Sequence, residues 1–320
     1  MRAIGAALAL AAAPASGQET VTLRWHHAGG PHAFETGAVI APLARSLTVL
    51  SDERLKVDVT PGLPADRLLD QIARGEADIV AVTLAQHPGA FPRLEALELP
   101  FLAAAAETVS KAAWDYADGD AGPDVAPYRL LSISAADAAA VHTTTRRVER
   151  LEDLKGLRLA VTGPWGAATA TALGAIPAPA NQADGVVLPW LAVLPAKAWS
   201  GVHRHADAPL YHPILLVLMS RQRHDTLPAA LREAIARATG PAFGAQYGGI
   251  HDASARDART MARQLGQEVA VPLPPELARW RAAAEPVHQA WIAAADARGL
   301  DGAALYRALR AAIERAAARS

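Results

Sequence analysis

Hydrophobic positions come in short bursts along the first part of this chain and in long helical stripes toward its end. Val21–Trp25 alternates and runs into Gly29-Gly30-Pro31, which predicts a strand and a loop. Ala33–Leu50 repeats its apolar residues at helical spacing. Leu55–Thr60 alternates again and stops at Pro61-Gly62. Ala65–Gly75 predicts a helix with Gly75 as its C-terminal cap, and Asp78–Leu84 has the apolar, β-branched character of a buried parallel strand. Glu107–Ala117 predicts a further helix. Strand, helix, strand, helix, strand is the order of a doubly wound α/β lobe.

The pattern then restarts. Leu130–Ser134, Ala139–Thr143, Leu157–Val161 and Val186–Trp190 are strand candidates, with a helical turn over Leu151–Gly156 and a helix over Ala167–Leu173. Leu210–Met219 is a long apolar run broken by His212-Pro213 and is read as a strand crossing between two lobes. Helices are predicted over Pro228–Gly240, Ala242–Gly266, Pro275–Arg298 and Ala303–Ala318, with Gly299-Leu300-Asp301-Gly302 between the last two. The pattern therefore predicts a two-lobe α/β protein, each lobe a doubly wound sheet, joined by a hinge and helical at its C-terminal end. The cleft between such lobes is the default ligand site.

Composition and charge remove several functions. The 320 residues carry 31 Lys+Arg against 32 Asp+Glu, so no basic surface for nucleic acid is indicated. There is no cysteine, hence no disulfide, thiolate nucleophile or Cys-ligated metal. Neither a Gly-x-Ser-x-Gly elbow, a His-Glu-x-x-His pair nor a P-loop is present, so nothing positive points to an enzyme, and no cofactor is implied. Residues 1–17 read as a secretory signal: Arg2, then apolar Ile4–Ala13, then Ala13-Pro14-Ala15, with cleavage expected near Ala15 to Gly17. The expected location is a bacterial periplasm.

Particular segments carry a resemblance. They are Leu23-Arg24-Trp25-His26, Val57–Gly62, the run from Leu69 to Ile79, and His87–Pro92 followed by Glu98-Leu99-Pro100-Phe101. Leu151–Leu159, Leu173–Pro177, Asp184–Trp190, and Trp280 with Pro286-Val287 and Trp291 complete the set. In order and spacing they resemble the extracytoplasmic solute receptors of tripartite ATP-independent periplasmic (TRAP) transporters, the DctP-like family. The resemblance implies a receptor that is not an enzyme, and a monomer is expected. It would bind a small organic acid between two closing lobes and deliver it to a membrane permease of one small and one large subunit. It also implies discontinuous lobes: 18–135 with about 215–255, and 136–214 with about 256–320.

Three departures from the family fall in the second lobe. The arginine expected to fork onto a ligand carboxylate is replaced by Ala160. Arg158, on the same strand face, either substitutes for it or is an ordinary exposed basic residue. The helix start at Thr162-Gly163-Pro164-Trp165-Gly166 is either a second carboxylate cradle or a plain capped helix. Only Ala180–Ala183 separates Pro179 from Asp184, where the family has a longer helix, and too little chain remains for a usual parallel crossover. Ser134–Ala139 replaces a stretch richer in His and Gly.

The candidate ligand residues follow. Trp25 and His27 end the first strand, and Phe34 opens the next helix. Thr83 and Gln86 end a buried strand, and His142 stands at a lobe junction. Arg158, Trp165, Trp190 and Tyr211 complete the set, Trp190 and Tyr211 by matching family positions. For each, core packing or loop satisfaction is the alternative role. His203, His205 and Asp207 would share one strand face and form the single metal-like constellation, with His26, His27 and His32 as further possible ligands. A metal or metal-chelate receptor, and a degenerate receptor serving as a sensing partner, are the alternative functions.

Overall fold

The computed structural model describes residues 20–31, 33–193 and 201–319. The expected signal segment, its cleavage point and His32 lie outside the described residues. In chain order the described strands are β1 (Val21–His27), β2 (Leu55–Thr60), β3 (Ile79–Thr83), β4 (Tyr128–Ala135), β5 (Ala139–Thr143) and β6 (Arg158–Ala160). They continue with β7 (Ile176–Pro177), β8 (Gly185–Pro189), β9 (Arg204–Tyr211), β10 (Ile214–Ser220) and β11 (Glu268–Ala270).

These strands form two sheets, of order β2-β1-β3-β10-β4 and β11-β9-β5-β8-β6-β7. In the first, β1 runs parallel to β2 and β3, while β10 runs antiparallel to β3 and β4. Both faces of this sheet are covered, and the two-residue period of a strand feeds two cores. Val80 and Val82 enter one core with Leu216 and Leu218. Ile79 and Ala81 enter the other with Leu215, Val217 and Met219. Along β1, Thr22 and Arg24 are exposed, whereas Leu23 and Trp25 are buried.

The apolar run Leu210–Met219 is two strands, not one. Leu210 and Tyr211 end β9 in the second sheet, and Ile214 opens β10 in the first. Pro213 has no N–H to give a ladder, so pairing stops there. The buried His212 ring ties the crossing in place, Nδ1 lying 2.8 Å from the Ala136 carbonyl and Nε2 3.2 Å from that of Ala103. Ala136 belongs to the other crossing segment, between β4 and β5.

The helix Pro274–Asp296 also spans both halves. Its Trp280 and Ala284 pack in the core of the second sheet, and its Val287 and Trp291 in the core of the first. Pro286, which removes one intrahelical hydrogen bond, falls between these two contacts. The last helix, Gly302–Ala318, buries Leu305, Leu309 and Ile313 in the first core. This corrects the expected division, in which everything from about residue 256 belonged to the second lobe. The apolar stripe of that helix was legible, but its partner was not.

The short connection after β7 closes without a helix. β7 is two residues long and lies at the sheet edge, parallel to β6, while β8 lies on the other side of β6. The chain passes the end of β6 through a turn of 3-10 helix at Ala180–Gln182. Asp184 clamps this passage: its carboxylate accepts from the Arg158 backbone N–H at 3.1 Å and from the guanidinium at 3.2 and 2.7 Å. The Asp184 N–H in turn donates to the Arg158 carbonyl at 2.8 Å.

Candidate functional site: the cleft between the two sheets

Strand ends from both sheets converge on one cleft. The first sheet sends Thr83 and the turn Ala85–Gln86, and the second sends Val187, Leu188, Pro189 and Tyr211. The crossings add Ala136, Pro213 and Ile214, and the long helix Pro241–Gln264 adds Tyr247. Two compartments adjoin here, of about 160 Å³ and 220 Å³, and share Glu35, Thr83, Gln86 and Leu215. His27 and Gly29 line the second. Parallel strands end at His27 and Thr83, which is where α/β folds place ligands.

The walls mix apolar residues such as Val187, Leu188 and Leu215 with a few polar groups. Among the described residues, neither compartment is lined by Arg or Lys. Glu98 is buried at the cleft wall and accepts the Ile214 N–H at 3.1 Å. Burial, opposed by backbone N–H donors, pushes its carboxyl up to about 8. It is therefore protonated at neutral pH. Tyr211 is raised above its usual range by burial and by Glu98, and Tyr247 by burial and by Glu35. Burial lowers His27, whose buried Nε2 has no partner among the described residues.

Four expected ligand residues, His27, Thr83, Gln86 and Tyr211, stand at this cleft. The others are placed elsewhere. Trp25 is wholly buried in the core of the first sheet. Phe34 packs on the same core and meets the His251 ring edge-on at 4.7 Å. His142 and Trp190 are wholly buried in the second half. His142 donates from Nε2 to the Leu188 carbonyl at 2.9 Å, so its Nδ1 is the acceptor for His205 Nδ1 at 2.8 Å. Trp190 donates to Asp207 at 3.1 Å. Arg158 is the exposed clamp on Asp184 and lies outside the cleft lining. Trp165 packs against a core of the first half and donates to Glu95 there at 3.1 Å.

The metal-like constellation does not assemble. His205 has both ring nitrogens engaged, with His142 and with the Gln267 amide at 3.0 Å. Asp207 is paired with Arg259 at 2.7 Å, and His203 is exposed outside the strand. Among the described residues no group of three His, Asp or Glu could hold a metal. Sequence reading missed Glu35, Glu98, Ala136, Leu188 and Tyr247 as cleft residues. Glu98 stood in the Glu-Leu-Pro-Phe segment and Glu35 next to Phe34, but nothing local told wall from core.

The family model DctP, bacterial extracellular solute-binding protein, family 7, matches residues 55–294. The chain belongs to this family. Its structure is similar to that of a marine metagenome TRAP solute-binding protein specific for aromatic acid ligands, in complex with 3-hydroxybenzoate. That match has a TM-score of 0.86 at 27% identity and covers 93% of this chain and 99% of that one. A TRAP solute-binding protein from Rhodoferax ferrireducens, with copurified benzoate, gives 0.85 at 26% identity over 93% and 99% of the two chains. One from Bordetella bronchiseptica, with bound (R)- and (S)-mandelate, gives 0.81 at 25% over 92% and 99%. This chain is a two-lobe receptor of the same fold, and no described helix is long and apolar enough to cross a membrane.

Proposed function

We propose that this solute-binding protein is the periplasmic receptor of a TRAP transporter and binds a small organic acid of aromatic size in the cleft. The observation that supports it is the cleft itself. It is bounded by strand ends of both sheets and offers Tyr211 and Tyr247 hydroxyls that have no partner among the described residues. The lobes close on the acid through the crossings at 136–138 and His212-Pro213, and the closed form hands it to a membrane permease pair. The receptor acts as a monomer and releases its solute unchanged.

Calorimetry and thermal melts with benzoate, 3-hydroxybenzoate and mandelate test this. One of these acids should bind at one site per chain and raise the melting temperature in proportion to the logarithm of its concentration. A cooperative melt that none of them shifts would sink the reading.

A further inference from the structure

The usual answer to a carboxylate, a guanidinium, is absent from the described cleft wall, so other donors must hold the acid. The helix Gly163–Ala172 begins at the cleft. Its Gly163 and Trp165 N–H groups fall in the first turn, where no intrahelical acceptor exists. Thr162, the N-cap, lines the smaller compartment, and its hydroxyl caps no backbone N–H. Tyr211 adds a second, independent feature. It is 5% exposed, and its hydroxyl has no partner among the described residues. That hydroxyl lies only 2.7 Å from where a Cβ would stand on Gly166, so it rests against the same first turn. Free N–H groups, a helix dipole and two hydroxyls together form an anion pole.

The lining also carries an acidic group. Glu35 lines both compartments and has no ion-pair or hydrogen-bond partner among the described residues. Glu98 is protonated at neutral pH and adds no charge beside it. An acid with no other charge would seat its ring against Glu35 and strip water from that carboxylate without replacing it. A ligand ammonium would supply the missing partner, with the Tyr247 ring close by.

We propose that the cleft selects an organic acid that also carries a protonated amine, its carboxylate on the first turn of Gly163–Ala172 and its ammonium on Glu35. This rests on the receptor reading above and narrows its ligand class. The test is calorimetry at pH 7 on the secreted protein with benzoate, 3-(aminomethyl)benzoate and benzylamine. The zwitterion should bind at least about tenfold more tightly than benzoate. Glu35→Gln should reduce that ratio to about threefold or less, while Tyr211→Phe and Thr162→Val should weaken the zwitterion. Thermal melts of each variant show that it is folded. Benzoate binding as tightly as the zwitterion overturns the proposal and leaves the organic-acid reading standing. Benzylamine binding while neither acid does overturns both.

Discussion

Glu98 shows what a single buried carboxyl does to the whole protein. Burial holds its folded-state pKa at about 8, above the ordinary carboxyl value of 4.5. The folded state therefore holds a proton that the unfolded chain gives up at lower pH. Stability from this group is full below about pH 4.5 and is lost as pH rises through 8. The loss amounts to roughly 3–5 kcal/mol. Melting temperature should fall between pH 5 and pH 9, and Glu98→Gln should flatten that fall in a pH series of melts. Arg158 makes the opposite point. It reads from the sequence as a stand-in for the missing arginine, yet it is spent on Asp184. Asp184→Asn should speed amide exchange at the edge strands β6 and β7 and leave acid affinity unchanged. Loss of binding in that variant would return Arg158 to the site.

At the scale of elements, the helix Gly163–Ala172 is held by a close approach between the halves. Gly163 has φ +73°, and a Cβ there would meet the Ala85 Cβ at 2.7 Å. Ala85 belongs to the turn after β3, so the contact lies across the cleft. Gly163→Ala should cost about 1–3 kcal/mol through the left-handed backbone alone. It should also weaken acid binding, because the added methyl wedges the halves apart, and calorimetry would read this. Most elements were legible from the sequence because alternation and helical spacing are local. The second half was harder. His212-Pro213 interrupts a long apolar run, and only the pairing shows that β9 and β10 belong to different sheets. Apolar content told that both were buried, but burial on both faces erases the alternation that would separate them.

The whole molecule is two halves held by one long helix as much as by two crossings. Trp280 and Trp291 sit on the same helix and are each fully buried, in different cores. Either Trp→Ala change should destabilise by about 3–5 kcal/mol, read by denaturant melts. Coupling through that helix should keep the transition single for both variants. By itself the sequence determined the two-lobe plan and the receptor family. Each of these is written in local spacing or in a motif. Only the tertiary structure decided which polar groups line the cleft. Glu35, Glu98, Tyr211 and Tyr247 come from distant parts of the chain and meet where strand ends and a crossing helix converge. A strand's period tells which residues share a face, but what stands opposite that face is set by packing.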